Sequence, residues 1–553
     1  MTRLTEIIVG LLALAGQTLA APPSDSSATS SKSQPRCVAS KIKCLLPEGA
    51  TLESVTAVPK GGSFGEGPAN IPYPTNPTGL PELCAIIVKV PSSATTSFRF
   101  GLFLPSKWDQ KFLAVGNGGF AGGINWLDMG PGAHYGMATM STDTGHNSTT
   151  TDLTWGYNNE ESRKDWGWRA MHGSVVTGKQ IVKGYYKGNK PLKHSYYSGC
   201  STGGRQGLKE VQLFPDSFDG VIVGAPSFYV SHLNQYVTRV GILNLPVDDP
   251  KHIDVALFPK MADEVVRQCD GLDGVADGII SSPELCEIDF SKMTCGTALD
   301  ASWCLTAAQV QTAKNVYADY TFSDGRLIYP RLLPGSEDQW YILLYGTEPT
   351  PFGVGYQKYF LLNDAEWDWR TYNDSLVTLA EQLDPGGATA IDYDIGAFKK
   401  RGGKLIMYHG LADGLVPATG SDWYYNSTIE AMGGSLKETR DFFRYFQVPG
   451  MLHCVGTAVD APWNFAATLM PGVMGPGYWS VPGFKDAKHD AMLALTEWVE
   501  KGKEVDSIVA TTWKNSYDPN SGVLRQRPIC AWPEKAVYKG RGDVDRADSW
   551  RCQ

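Results

Sequence analysis

The chain has 553 residues, 42% of them hydrophobic and 19% charged, which is enough to bury a large core. Its formal net charge of -9 argues against a nucleic-acid partner and gives no reason to expect binding to an anionic membrane. Beyond the N-terminus, no apolar run approaches the roughly twenty residues of a transmembrane helix. These properties predict a protein that is soluble in its mature form.

The first twenty residues have the pattern of a secretory signal peptide. A basic residue precedes a short apolar run at residues 7–15, and small residues before Ala20 predict cleavage after it. Residues 21–36 are rich in Ser, Pro and Ala and are expected to be disordered. Eleven cysteines and three N-glycosylation sequons agree with secretion to the extracellular space; the sequons are at Asn147, Asn373 and Asn426.

Residues 37–226 alternate short apolar runs with Gly/Pro turns and helical patterns. The patterns predict strands at 98–104, 112–115, 137–140 and 221–226 and a helix at 173–182. Strands that alternate with helices indicate an α/β fold with a largely parallel sheet.

Residues 227–402 differ in character and are predicted to form an inserted domain. The strand–helix alternation fades there, and tryptophans and tyrosines become dense. The α/β core is predicted to resume over residues 403–553, with strands at 404–410 and 442–448 and a helix at 489–501.

The most informative motif is Gly-Cys-Ser-Thr-Gly at residues 199–203, a G-x-S-x-G pentad. An aromatic run at Tyr196 and Tyr197 predicts a strand before it, and an amphipathic pattern predicts a helix after it. Strand, tight glycine turn and helix are the context of a nucleophile elbow, in which the serine is presented on a sharp turn. The pattern therefore predicts Ser201 as a nucleophile.

A serine hydroxyl is a poor nucleophile unless an imidazole accepts its proton. Asp413 follows the predicted strand at 404–410, and His453 follows the next predicted strand. Both come after Ser201, in the order acid and then histidine that is typical of α/β-hydrolases. We predict a triad of Ser201, Asp413 and His453.

Rival groups for the base and the acid are less favourable. His409 ends a strand and is expected to pack beneath the site, and His489 is interpreted as a solvated residue at a helix terminus. Asp422 and Asp441 are interpreted as surface groups.

Two cysteines lie beside the predicted catalytic residues. Cys200 precedes Ser201, and Cys454 follows His453. If the serine and the histidine are in contact, their chain neighbours are close as well, which predicts a Cys200–Cys454 disulfide. The alternative, two buried free thiols, is unfavourable in a secreted protein.

An oxyanion hole requires backbone N–H groups that point at the tetrahedral oxygen. One is expected from Thr202, the residue after the nucleophile. The second is expected from the glycine cluster at residues 116–119, where Gly118 or Gly119 can bring its amide close to a substrate. An ordinary glycine turn is the alternative.

A second acidic motif lies in the insertion, where three aspartates alternate with glycines over residues 270–279. Several carboxylates within one loop suit a hard cation with oxygen ligands, and calcium is the best match. The spacing is not that of an EF-hand. The alternative is an acidic surface turn, which would leave like charges close together without compensation.

These motifs resemble those of the tannase and feruloyl esterase family. The resemblance is carried by C-S-x-G-G around Ser201, by the Asp413 loop and by the His453–Cys454 pair, and it extends from Cys37 to Cys552. It implies an α/β-hydrolase core with a large lid inserted between nucleophile and acid, triad roles for Ser201, Asp413 and His453, and a disulfide between the flanking cysteines.

The resemblance also implies ligands and further disulfides. A structural calcium ion in the lid would be held by the side chains of Asp270, Asp273 and Asp277 and by the carbonyls of Val275 and Ile279. Proximity in sequence, supported by the family, suggests the pairs Cys269–Cys286, Cys295–Cys304 and Cys530–Cys552. For Cys84, pairing with Cys37 is preferred and leaves Cys44 free, but the sequence leaves this choice open.

An aromatic-rich lid suits a flat, apolar acyl group, and no Arg/Lys cluster at the serine indicates a phosphate ester. We therefore expect a secreted feruloyl esterase that releases hydroxycinnamic acids from plant cell-wall polysaccharide and needs no organic cofactor. A tannase that acts on galloyl esters is the close alternative. A catalytically silent wall-binding protein with the same fold is the alternative from another functional class.

Overall fold

The computed structural model describes residues 37–188, 191–300 and 302–553. The predicted signal peptide and the segment 21–36 lie outside these residues. The strands, in chain order, are β1 (Thr51–Val58), β2 (Leu83–Pro91), β3 (Ser97–Pro105), β4 (Lys111–Val115), β5 (Ala138–Thr142), β6 (His194–Cys200), β7 (Gly220–Gly224), β8 (Tyr320–Thr321), β9 (Leu327–Tyr329), β10 (Lys404–Gly410), β11 (Phe443–Val448), β12 (Ser507–Asn515), β13 (Asp518–Cys530), β14 (Ala536–Tyr538) and β15 (Trp550–Cys552).

The helix predicted at 173–182 lies within Ala170–Tyr185, and the helix predicted after Ser201 is Thr202–Leu213. The predicted helix at 489–501 begins at Ala491, because the Asp490 side chain caps it by accepting hydrogen bonds from the backbone of Met492 and Leu493. The α-helices are Ala39–Lys43, Trp126–His134, Glu160–Lys164, Ala170–Tyr185, Thr202–Leu213, Val230–Leu243, Phe258–Cys269, Ala307–Val316, Tyr341–Leu344, Pro351–Gly355, Ser375–Leu383, Gly396–Lys400, Ala418–Ala431, Leu436–Arg440, Met470–Met474 and Ala491–Lys501.

In the part of the chain that the structure describes, nine strands form one central sheet in the order β1-β2-β3-β5-β4-β6-β7-β10-β11. Six strands are parallel to one another: β5, β4, β6, β7, β10 and β11. The strands β1, β2 and β3 pair antiparallel, and β3 also joins β5 antiparallel. The expected α/β class with a largely parallel sheet is confirmed. The carboxyl ends of β6, β10 and β11 lie at one edge of this sheet, where such folds place their active sites.

Apolar side chains cover both faces of the sheet. Neighbouring residues of a strand point to opposite sides, so consecutive apolar residues contribute to both faces. Ile222 and Ile406 belong to the core on one face, and Val221 and Leu405 belong to the core on the other. The central strands are therefore buried on both faces, as expected for a parallel sheet between layers of helices.

Between β7 and β10, the described residues of 225–403 add no strand to the central sheet. Most of their buried apolar side chains, including Leu233, Phe258 and Trp340, form a separate cluster. After β11 the chain forms two hairpins, β12–β13 and β14–β15, that also lie outside the central sheet. Within the described residues, no helix has the length and apolar character needed to cross a membrane.

Candidate active site

Ser201 lies on the sharp turn between β6 and the helix Thr202–Leu213. Its backbone dihedrals are φ 61° and ψ -121°, a conformation that costs energy for any residue with a side chain. The Ser201 N–H donates to the carbonyl of Gly224 on the neighbouring strand at 2.9 Å, which fixes the turn. This geometry is that of a nucleophile elbow.

The glycines of the pentad are required by close backbone contacts. A Cβ on Gly199 would lie 2.6 Å from the carbonyl oxygen of Gly203, and a Cβ on Gly203 would lie 3.0 Å from the carbonyl oxygen of Asn117. Only residues without side chains allow the turn to be this tight. The second contact also places the glycine cluster at 116–119 beside the start of the nucleophile helix.

Asp413 and His453 meet on the loops that follow β10 and β11. The distance from His453 Nδ1 to Asp413 Oδ2 is 2.6 Å, and Asp413 is 1% exposed. Asp413 Oδ1 accepts hydrogen bonds from the backbone N–H groups of Leu415 and Val416, each at 2.9 Å. Burial opposes ionisation of Asp413, but His453 and the second histidine in contact, His409, outweigh it and hold the pKa of this carboxyl well below its usual range.

A Cys200–Cys454 disulfide joins the serine turn to the histidine loop, with a Cα–Cα distance of 5.9 Å. Both cysteines are buried. The bridge joins the turn that contains Ser201 to the loop that contains His453; among the described residues, no hydrogen bond connects Ser201 Oγ with His453 Nε2. Catalytic hydrogen bonds are often long in a free enzyme and shorten when the substrate binds.

The rival groups occupy other environments. His409 is fully buried beneath the site, as expected, and contacts Asp413. Two interpretations were wrong: His489 is only 7% exposed and contacts the Asp486 carboxylate, and Asp422 is a half-buried acceptor for Tyr445 and Gln447 rather than a free surface group. Asp441 is exposed.

Gln339, in the insertion, is a site residue that the sequence did not indicate. Its Oε1 accepts hydrogen bonds from the backbone N–H of His453 at 3.0 Å and from that of Gly414 at 3.1 Å. One buried amide oxygen therefore joins the acid loop to the histidine loop. No local motif could have revealed it, because both partners lie more than seventy residues away in sequence.

Replacing Gln339 with leucine is expected to lower kcat on an ester substrate about tenfold with little change in KM. A buried N–H group that loses its acceptor destabilises the structure by about 1–3 kcal/mol. We expect the two loops to move apart in response, which misaligns Asp413 and His453. Steady-state kinetics, normalised to active sites, measure the effect. Gln357→Leu is the matched control, since Gln357 is a buried glutamine of the insertion that contacts Gln235 and neither loop. Equal kcat values for both variants would contradict this role.

Two backbone N–H groups are available for an oxyanion hole. Thr202 begins the nucleophile helix, so its N–H has no partner within that helix. In the glycine cluster, the N–H groups of Gly116, Asn117 and Gly118 donate to Ser198, Gln206 and Tyr73, respectively. Among the described residues, no hydrogen bond uses the Gly119 N–H. Of the two glycines considered, the structure thus leaves Gly119 available; its role stays a prediction.

The acidic loop of the insertion is folded around its own carboxylates. Asp270 Oδ1 accepts hydrogen bonds from the backbone of Asp277 at 3.0 Å and of Ile279 at 3.2 Å. Asp273 Oδ1 accepts from Val275, while its buried Oδ2 has no partner with hydrogen-bond geometry; the Ser281 hydroxyl is close enough to oppose the rise in the pKa of Asp273. Burial, together with the nearby charge of Asp277, raises the pKa of Asp273.

Within the described part of the chain, no three His, Cys, Asp or Glu side chains are grouped so that they could hold a metal ion. Asp277 instead forms an ion pair with Arg527 of β13. The unpartnered oxygen of Asp273 and a donor set made of carboxylates and carbonyls nevertheless suit calcium. The calcium site therefore stays a prediction.

The structure contains the other four suggested disulfides, and Cys44 is a free, exposed cysteine; the bridges are Cys37–Cys84, Cys269–Cys286, Cys295–Cys304 and Cys530–Cys552. The three sequon asparagines, Asn147, Asn373 and Asn426, are exposed.

Comparison with known proteins identifies the family. The family model for "Tannase and feruloyl esterase" matches residues 84–341 and 355–553. A probable feruloyl esterase B-1 of Aspergillus flavus is 32% identical over 94% of this chain and 95% of its own length. A probable feruloyl esterase B of Aspergillus clavatus is 34% identical with the same coverage. The chain belongs to the tannase and feruloyl esterase family.

Solved structures agree with this assignment to the tannase and feruloyl esterase family. Feruloyl esterase B from Aspergillus oryzae superposes with a TM-score of 0.85 at 32% identity and covers 94% of this chain and 99% of its own. Tannin acyl hydrolase from Aspergillus niger has a TM-score of 0.73 at 21% identity, with coverage of 94% and 95%, and shares the fold. Membership makes the chain a carboxylic ester hydrolase, and the expected α/β-hydrolase fold is confirmed.

Proposed function

We propose that this protein is a serine esterase that hydrolyses feruloyl and related hydroxycinnamoyl esters. The observation that carries the proposal is the identity of 32–34% over 94% of the chain to relatives named feruloyl esterase B. The tannin acyl hydrolase shares only 21% of its residues with this chain. A hydroxycinnamoyl ester is therefore the preferred substrate, and a galloyl ester is the alternative that experiment must separate from it.

The geometry supports an acyl-enzyme mechanism. His453 accepts the proton of Ser201, whose oxygen attacks the ester carbonyl, while Asp413 orients the imidazole and stabilises its charged form. The N–H groups of Thr202 and Gly119 stabilise the oxyanion. The alcohol leaves with a proton from His453, and water, activated by the same imidazole, then releases the acid.

The insertion brings an aromatic side chain to the glycine cluster at residues 116–119, which contains the predicted oxyanion donor Gly119. Phe352, in the helix Pro351–Gly355, lies so close that a Cβ on Gly119 would be 3.1 Å from its Cε1. Phe352 is partly exposed. An apolar ring beside the carbonyl site supports a flat aromatic acyl group as the bound half of the ester.

The proposal is tested by hydrolysis of methyl ferulate, methyl caffeate, methyl sinapate and methyl gallate under the same conditions. We expect the highest kcat/KM on a hydroxycinnamate ester. A preference for methyl gallate would replace the proposal with tannase activity. No turnover of any of the four by folded protein would leave a non-catalytic wall-binding role in its place.

We further propose that the lid binds a structural calcium ion. The side chains of Asp270, Asp273 and Asp277 and the carbonyls of Val275 and Ile279 would hold it. What supports the proposal is the buried Asp273 Oδ2 without a partner in a loop of three carboxylates. A bound cation would neutralise charges that the single contact from Arg527 leaves partly uncompensated.

Chelation of calcium is expected to lower the melting temperature of the wild-type protein. Calcium at one hundred times its Kd stabilises the folded state by about 2.7 kcal/mol, and this is lost on removal. Calorimetry with and without chelator, together with metal analysis, measures the effect. Asp273→Asn should abolish the response, whereas Asp263→Asn, on an exposed position of the preceding helix, should keep it. A metal-free wild-type protein with an unchanged melting temperature would exclude the site.

We propose that the protein is secreted and glycosylated. Five disulfides support an oxidising compartment, and the sequon asparagines are exposed. N-terminal sequencing of protein from the culture medium should find Ala21 as the first residue, and glycosidase treatment should lower its mass. Retention inside the cell with residues 1–20 attached would contradict secretion.

A further inference from the structure

We propose that His409 is a positioning residue for catalysis. It fixes the orientation of the Asp413 carboxylate and weakens the attraction of that carboxylate for the proton on His453. This inference rests on the proposed esterase activity. His409 is the next-to-last residue of β10, pairs in register with Gln447 of β11, and is fully buried. It is therefore held by the sheet itself, four residues before the acid.

Two imidazoles bind the same carboxylate oxygen. Asp413 Oδ2 lies 2.6 Å from His453 Nδ1 and 3.0 Å from His409 Nε2. The other oxygen, Oδ1, is occupied by the backbone N–H groups of Leu415 and Val416. With four donors around it, the carboxylate has one orientation, and Oδ2 shares its charge between two histidines.

The hydrogen bonds of His409 fix which of its nitrogens carries the proton. Nε2 lies 3.0 Å from Asp413 Oδ2 and 2.9 Å from the carbonyl oxygen of Val416, and both can only accept. Nε2 is therefore the donor. Nδ1 lies 2.7 Å from the hydroxyl of Ser421, which donates to it in the neutral imidazole. Ser421 thus orients His409, and His409 orients Asp413.

Few other titratable groups face this pair. Asp422 interacts electrostatically with His409. Burial raises the pKa of the Asp422 carboxyl, and hydrogen bonds from Tyr445 and Gln447 partly offset this rise. Tyr329 interacts electrostatically with Asp413. Burial raises the pKa of the Tyr329 phenol, so that the phenol stays neutral. His453 is the remaining partner. The imidazole of His409 is thus the group, besides His453, that donates a side-chain hydrogen bond to Asp413 among the described residues.

Removing the His409 donor should change the pH dependence of catalysis as well as its rate. Oδ2 would then interact with His453 alone and attract the proton on that imidazole more strongly. His453 must lose this proton to act as the base, so the acid limb of the profile of kcat/KM against pH should move to higher pH. A purely structural role would leave the limb in place.

The matched test compares His409→Asn with His409→Gln. The Gln amide nitrogen can take the place of Nε2 and donate to Asp413, whereas the shorter Asn side chain cannot reach it. For Asn we expect kcat lower by about ten- to hundredfold, KM nearly unchanged and an acid limb at higher pH, since a charge-assisted hydrogen bond is lost. For Gln we expect a kcat close to that of the wild type and an unshifted limb.

Rates are expressed per active site, counted by titration with a phosphonylating inhibitor, so that misfolded molecules do not contribute. Equal loss in both variants with an unshifted limb overturns the proposal, as does an Asn variant that matches the wild type. If the Asn variant does not fold, the folded Gln variant still tests the proposal, because a large loss of kcat in that variant would overturn it. Failure of the proposed esterase function is distinct, since the wild type itself would then not turn over the esters.

Discussion

Replacing Ser201 with alanine is expected to lower kcat/KM on methyl ferulate by on the order of 10⁴-fold or more, because no other group can form the acyl-enzyme. The fold should persist, since the change removes only one hydroxyl and leaves the glycine contacts of the elbow in place. Initial rates of ferulate release and a melting curve for the same preparation measure both quantities.

Ser198→Ala is the matched control for this substitution. Ser198 lies on β6, the strand that leads to Ser201, and its hydroxyl contacts that of Thr468 at 2.8 Å rather than the catalytic loops. It should keep most of the activity. Residual activity of Ser201→Ala comparable to that of Ser198→Ala would refute the assignment of the nucleophile.

Removing the Cys200–Cys454 disulfide by a double substitution to serine should lower both stability and activity. The bridge closes a loop with a sequence separation of 254 residues, which corresponds to about 5 kcal/mol in the chain-entropy model. It also holds the serine turn against the histidine loop, and a displacement of about 1 Å can cost a hundredfold in rate. Denaturant unfolding and kcat/KM measured at a temperature where the variant is folded give the two effects.

The Cys295–Cys304 bridge in the insertion provides the control. Its sequence separation is 9 residues, and the same model gives about 2.5 kcal/mol for a loop of that size. Its removal should reduce stability less and leave kcat/KM nearly unchanged. Substitution is preferable to reductants, because both sulfurs of the catalytic bridge are buried. A folded Cys200→Ser/Cys454→Ser variant with full activity would show that the bridge does not align the triad.

The parts of the site that the sequence predicts are those written in short, local patterns. Glycines around Ser201 report a turn that excludes side chains, and the contacts of Gly199 and Gly203 supply the physical reason. Asp413 and His453 follow apolar strands, so their loops fall at one edge of a parallel sheet. Cys200 and Cys454 add a long-range restraint that is visible in sequence because each is adjacent to a predicted catalytic residue.

Other parts depend on packing between distant segments and have no local pattern. Gln339 is one polar residue among many in the insertion until the fold brings two backbone N–H groups to it. His409 was expected beneath the site, but its hydrogen bond to Asp413 needs the exact path of the loop after β10. The pairing of Asp277 with Arg527 likewise joins segments 250 residues apart. The antiparallel pairing of β1, β2 and β3 also arises between separate strands, and the sequence patterns did not predict it.

During turnover, Ser201 is expected to carry the feruloyl group as a covalent ester. Rapid-quench mixing with methyl ferulate, followed by proteolysis and mass spectrometry, tests it directly. We predict a feruloyl adduct on the peptide that contains Ser201, formed before the steady state and absent from Ser201→Ala. An active enzyme whose adduct lies on a different residue would exclude Ser201 as the nucleophile.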